Sequence, residues 1–119
     1  MSDHGKREVR LRVDATAWRD RVIDDARSGE SLAAVRAREI SVDLIIAVAE
    51  IIAAYMASGE SEISRTDLKR SGRHSGYAID SRQEQLLLRY LEDRGHIERC
   101  VDRELFRPIG VLPPELPFA

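Results

Sequence analysis

Apolar and polar positions alternate along this chain with periods that change several times, and each change predicts an element. Glu8, Arg10 and Arg12 alternate with Val9, Leu11 and Val13, a period of two that predicts a short strand. Asp14 then stands where a helix cap belongs, ahead of Trp18, Val22 and Ala26 at successive i+4 positions with Ile23 beside them, and Ser28-Gly29 ends that helix. Leu32, Val35 and Ile40 mark a second short amphipathic helix. Ser41 caps the next, Val42 to Ala57, whose Leu44, Ile45, Ile46, Val48, Ile51, Ile52, Tyr55 and Met56 cover more than one side of a cylinder. Such a helix has to bury more than one stripe, either as the spine of the monomer or as a homodimer interface.

The second half is more finely punctuated. Ser58-Gly59 stops the apolar helix, Glu60-Ser61-Glu62 is a polar connection, and Ile63 either opens a short strand or fills the core. Ser64-Arg65-Thr66-Asp67 and Ser81-Arg82-Gln83-Glu84 both have the spacing of a capping box, a hydroxyl followed three residues on by a side chain that reaches back to the free amide. The first opens a short helix from Arg65 to about Arg70, anchored by Leu68, and Ser71 to Tyr77 is expected to be a loop. The second opens a helix to Arg94 with Leu86, Leu87, Tyr90 and Leu91 as its buried stripe, closed by Gly95. Ile97–Val101 and Glu104–Arg107 then pair across Asp102-Arg103, which sets Glu98 opposite Arg107, Ile97 opposite Pro108, and Phe106 toward the core. Asp-Arg is not a dipeptide that favours a tight primed turn, so a longer loop fits as well. The proline-broken apolar tail from Val111 to Phe118 cannot be helical, and its Leu112, Leu116 and Phe118 suit docking on the domain or on a protein partner.

Composition narrows the class. The 119 residues, 43% of them hydrophobic, can bury one modest core, so the expectation is one unit: residues 1–40 packing on it, the domain proper at 41–110, and the tail at 111–119. With a single cysteine, Cys100, there is no internal disulfide framework, and a cytoplasmic location is the simpler expectation. The apolar run from Val42 to Ala57 contains Asp43 and Glu50 and falls short of the roughly 20 residues that cross a bilayer, so no membrane partner is expected. His4, His74 and His96 lie far apart with no metal spacing to Cys100, and no phosphate-cradling glycine loop or nucleophile elbow is present. Neither enzyme activity nor a metal or cofactor is therefore expected, and Cys100 reads as a small buried strand residue.

A net charge of −2 argues against indiscriminate nucleic-acid binding, so any such contact must come from local charge. Between Arg65 and Arg82 there are five basic residues, Arg65, Lys69, Arg70, Arg73 and Arg82, against Asp67 and Asp80. On the following helix Arg82, Gln85 and Arg89 share one face at spacings of three and four. Arginine can donate bidentately to guanine and glutamine to adenine, which makes that face a candidate reader of duplex DNA. Arg103, at the hairpin tip, is either a phosphate or minor-groove contact or an exposed turn residue.

The run Ile63 to Leu68, the helix ending Leu91-Glu92-Asp93-Arg94-Gly95-His96-Ile97, and the strand pair ending Phe106-Arg107-Pro108 resemble a winged helix-turn-helix domain. They are similar in particular to the small winged helices of phage and mobile-element primase-helicases and of compact transcriptional regulators. The resemblance covers roughly residues 41–110. It implies a mainly helical fold with a small β-hairpin, double-stranded DNA as the partner, the second of the paired helices in the groove, and a role in transcriptional regulation or in replication of a mobile or host element. Two alternatives stand beside it. One is a non-enzymatic protein-interaction module using the apolar helix and the tail. The other rests on the basic strand from Arg7 to Val13 and the helices after it, which resemble a ribbon-helix-helix arrangement with Arg10 and Arg12 as readers.

Overall fold

A computed structural model describes residues 14–28 and 40–109. In chain order its elements are α1 (Ala15–Arg27), α2 (Val42–Ala57), β1 (Ile63–Ser64), α3 (Arg65–His74), α4 (Ser81–Asp93), β2 (Ile97–Arg99) and β3 (Leu105–Pro108). The described residues are mainly helical with one small antiparallel sheet, ordered β1-β3-β2. The expected N-terminal strand with Arg10 and Arg12, the short helix around Leu32 and Val35, and the proline-rich tail lie outside the described residues.

Each helix has an identifiable start. Ser41 Oγ accepts from the Leu44 amide at 3.0 Å and Ser64 Oγ from the Asp67 amide at 2.9 Å, each satisfying one of the free donors of a first turn. Asp14 occupies the cap position of α1, but its side chain makes no capping bond. The start of α4 corrects the sequence expectation by one residue. Asp80 is the cap, its carboxylate accepting from the Gln83 amide at 2.7 Å while the Gln83 side chain reaches back to the Asp80 amide. A carboxylate serves this role as well as a hydroxyl, and the shift releases Glu84 for the interior. At the other end Gly95 takes φ 79°, a conformation that side chains with a Cβ disfavour, and turns the chain from α4 into β2.

The second correction concerns α3. Ser71-Gly72-Arg73-His74, expected to be loop, forms its last turn. The helix carries a glycine at position 72 where the returning chain presses against it: a Cβ there would lie 2.9 Å from Ile79 Cδ1 and 3.0 Å from the Tyr77 carbonyl oxygen. Tyr77 N–H closes the contact by donating to the Gly72 carbonyl at 2.7 Å. A glycine at this position signals close approach of two backbone segments, not a break in the helix.

Three stripes and a sheet make one core. Trp18, Val22 and Ala26 of α1 are buried as their spacing predicts, and α1 packs along α2. Helix α2 buries Leu44, Ile45, Ala47, Val48, Ala49, Ile51, Ile52 and Ala53, so its wide apolar surface is largely covered within the chain. Its Ile46, Tyr55 and Met56 remain half-buried. On α4 the buried set is Glu84, Leu87, Leu88, Tyr90 and Leu91. Leu86, placed in the stripe from the sequence, is half-buried and Leu88 takes the interior position. The sheet closes the far side with Ile63, Ile97 and Phe106, all essentially inaccessible.

The hairpin register is the expected one, with Ile97 opposite Pro108, Glu98 opposite Arg107 and Arg99 opposite Phe106. The strands are shorter than expected and the loop correspondingly longer, from Cys100 to Glu104. Asp102 organises it, its carbonyl accepting from Leu105 N–H and its carboxylate from Glu104 N–H. Cys100 therefore lies half-buried just beyond β2, not within a strand.

Candidate nucleic-acid interface

Helix α4 turns two different faces to its surroundings. Its inner face is locked into the core by four large side chains and Glu84, while Arg82, Gln85 and Arg89 form an exposed row along the outside. Their spacing of three and four residues keeps the three side chains within one narrow stripe of the helix surface. Glu92 and Asp93 follow at the C-terminal end, so the arginines of the row, Arg82 and Arg89, precede the acidic residues of the last turn.

Helix α3 brings further basic groups beside the start of α4. Lys69 Nζ donates to Ser81 Oγ at 3.0 Å, which ties the middle of α3 to the first residue of α4. Arg70, exposed, pairs with Asp67 one turn earlier at 2.9 Å, and Arg73 and His74 are exposed in the last turn. Tyr55 of α2 fixes the other side of α3, its hydroxyl 2.7 Å from Ser71 Oγ and 3.3 Å from the Asp67 carbonyl. The hairpin tip presents Arg103, exposed, beside Val101, which is fully exposed.

Arg65 behaves differently from the rest of the basic set. Its guanidinium reaches Glu84 with Nη2 at 2.6 Å and Nε at 3.0 Å from the same carboxylate oxygen, and Glu104 of the hairpin loop lies 3.7 Å from Nη1. Only 20% of the Arg65 side chain is accessible and 1% of that of Glu84. The hydrogen bond to Glu84 raises the Arg65 pKa further above its usual value, so the charge is permanent and internally committed. Arg65 joins α3, α4 and the loop, whereas Lys69, Arg70, Arg73, Arg82, Gln85, Arg89 and Arg103 are surface groups.

The far side holds a polar cluster that no sequence spacing announces. Asp25 of α1 receives a two-pronged bond from Arg94, with Nε at 2.9 Å, and contacts His96 Nε2 at 2.8 Å. The hydrogen bond from Arg94 is the main reason that the Asp25 pKa falls to about 2, with the bond and charge of His96 adding to it. His96 is buried, and desolvation pushes its pKa below the ordinary value, aided by the positive charges of Arg21 and Arg94 and opposed by Asp25. Trp18 Nε1–H donates to the His96 carbonyl at 2.9 Å, and Arg21 donates to the carbonyl of Ile109. Asp25 lies about 70 positions from its partners, and an aspartate on a polar helix flank carries no sequence mark of such a role. The one available signal was Arg94 and His96 flanking the helix-ending glycine.

Among the described residues, burial leaves three polar atoms without a hydrogen-bond partner: Glu84 Oε2, His96 Nδ1 and Arg99 Nε. Arg99 is held below its usual pKa by desolvation, and the same cause raises that of the Cys100 thiol. Among the described residues no group of three or more His, Cys, Asp or Glu could hold a metal ion, and no helix is long and apolar enough to cross a membrane. The chain matches no family model, no curated protein and no solved structure.

Proposed function

We propose that this protein binds double-stranded DNA as a winged helix-turn-helix, with the N-terminal half of α4 laid in the major groove. The observation that carries the reading is the exposed row Arg82, Gln85 and Arg89 on a helix whose opposite face is locked into the core. A rigid helix with its polar row outward can enter a groove about 12 Å wide without refolding. The element order helix, strand, helix, helix, strand, strand, with β3 between β1 and β2, supports the same reading. Lys69, Arg70 and Arg73 on α3 flank the start of α4 and are suited to phosphates, as is Arg103 at the hairpin tip. Arg82 and Arg89 can serve phosphate or guanine, and Gln85 adenine.

Arg65 is not part of this contact set, because its guanidinium is occupied by Glu84. Its role in the reading is to hold the angle between α3 and α4. Transcriptional control or replication of a mobile or host element, in the cytoplasm, is the biological setting that goes with the reading. The test is titration of the full chain with random-sequence duplex DNA at two salt concentrations. Salt-sensitive binding that is lost on charge reversal at Arg82 and Arg89 is the expected result, and absence of binding at low salt overturns the proposal.

A protein-interaction module remains the second reading, and one observation favours it. A cleft of about 580 Å³ opens between α2 and α3, lined by Ala47, Glu50, Ile51, Tyr55, His74 and Tyr77 among others. Tyr77 is one of two large hydrophobic residues left exposed among the described residues. In that reading the cleft and the tail take a partner, and self-association through α2 is its homotypic form. Sedimentation at high concentration separates the two forms.

A further inference from the structure

We propose that His96 is a pH-sensitive pin that holds helix α1 against the rest of the domain and loosens it on acidification. The inference does not depend on the nucleic-acid reading. Among the described residues, the side-chain links from α1 to the rest of the domain converge on one small region: Trp18 to the His96 carbonyl, Asp25 to Arg94 and to the His96 ring, and Arg21 to the Ile109 carbonyl. Ile109 N–H also donates to the His96 carbonyl at 2.9 Å, so the backbone of His96 is anchored to the residue that follows β3 as well as to α1.

The ring's own hydrogen bonds define its proton. An ionised carboxylate only accepts, so the Nε2 that lies 2.8 Å from Asp25 carries the hydrogen. In the neutral ring Nδ1 is then bare, buried and without a partner. Uptake of a proton would create an N–H donor at Nδ1 with no acceptor. It would also place a third positive charge beside Arg21 of α1 and Arg94 at the end of α4, with Asp25 of α1 as the facing carboxylate. When α1 lifts away, water supplies the missing acceptor at Nδ1, Arg21 departs with the helix, and solvent screens the charge of Arg94.

The depressed pKa has the direction this geometry requires. Because the docked ring binds its proton more weakly than a solvated one, docking is fully supported above about pH 6.5 and weakens as pH falls through the lower docked value. Asp25, at about 2, stays ionised throughout that range, so His96 is the group of the pin that titrates there.

Amide hydrogen exchange on the full chain, corrected for intrinsic rates, tests the pin between about pH 7.5 and about pH 5. Protection of α1 should lie below that of α2 and α4, and should fall by up to about tenfold per pH unit below about 6.5, the limit set by one proton. Acrylamide quenching of Trp18, the single tryptophan, should rise in step. His96→Gln keeps a donor toward Asp25 but cannot titrate, and should flatten the α1 response. If that variant does not fold, the imidazole of the unaltered protein is followed by NMR, with a His96 pKa below 6.5 expected. The proposal is overturned by pH-independent α1 protection, by an unchanged response in His96→Gln, by a His96 ring titrating at or above 6.5, or by α1 protection equal to that of α2 and α4 at every pH.

Discussion

Arg65, the first residue of α3, reaches across to the buried Glu84 of α4 with Nη2 2.6 Å and Nε 3.0 Å from one carboxylate oxygen. The pair joins the two helices where they converge, and it turns an arginine that reads from the sequence as a DNA contact into part of the frame. Removing one partner of a buried pair strands the other charge. Arg65→Ala should therefore cost about 3 kcal/mol in denaturant unfolding, whereas replacing both residues by apolar side chains of similar volume should cost far less. A loss below about 1 kcal/mol for Arg65→Ala would show that Glu84 finds water or another donor.

Phe106 sits at the centre of the sheet, paired to Ile63 on one side and Arg99 on the other, and is fully buried. Phe106→Ala should destabilise the protein by roughly 3 to 5 kcal/mol, as cavity formation around an aromatic ring does. Equilibrium unfolding monitored by circular dichroism measures it.

Gly72→Ala sets two effects against each other. Alanine should stabilise an interior helix position by about 1 kcal/mol. The added methyl, however, meets the Tyr77 carbonyl at 3.0 Å and the buried Ile79 side chain at 2.9 Å. Overpacking of this kind costs about 1 to 3 kcal/mol, so a net loss of about 1 kcal/mol is expected. A rise in melting temperature would show that the segment from Tyr77 to Ile79 yields without cost.

Asp25 supplies an acid-sensitive contribution. Its folded pKa of about 2 lies below the ordinary 3.8, so the contribution is complete above 3.8 and disappears as pH falls toward 2. At roughly 1.4 kcal/mol per pKa unit it amounts to about 2 kcal/mol. The stability difference between the native sequence and Asp25→Asn should therefore shrink over that interval. A difference that stays constant down to pH 2 would place the Asp25 carboxylate outside the Arg94 bond.

Duplex DNA binding, the proposed function, makes a charge-specific prediction. With about four phosphate contacts, log affinity should fall against log salt with a slope near about −3.6, and Arg82→Ala should lessen it by about one. Gln85→Ala should leave the slope unchanged while weakening a preferred site by about 1 to 3 kcal/mol. Removing the Arg65 charge by Arg65→Met should not reduce the slope at all, because that charge faces Glu84. A slope that drops by one in that variant would put Arg65 at the phosphates after all.

Local chemistry was legible in the sequence wherever the cause is local. The 3.6-residue period of Trp18, Val22 and Ala26, the serine caps at 41 and 64, the glycine turn at 95 and the hairpin register through Ile97, Glu98 and Arg107 depend only on residues a few positions apart. The exposed row Arg82, Gln85 and Arg89 follows from the same periodicity. What the tertiary structure decided depends on neighbours distant in the chain. Gly72 has no room for a side chain because Ile79 folds back onto it. Glu84 leaves the cap because Asp80 can take that place and because Arg65 offers a buried partner. Leu88 lies in the core and Leu86 at its half-buried edge, a choice made by the elements that pack on α4. The Asp25, Arg94 and His96 cluster has the same origin, since hydrogen bonds between residues about 70 positions apart leave no period in the sequence and exist only after α1 has packed along α2.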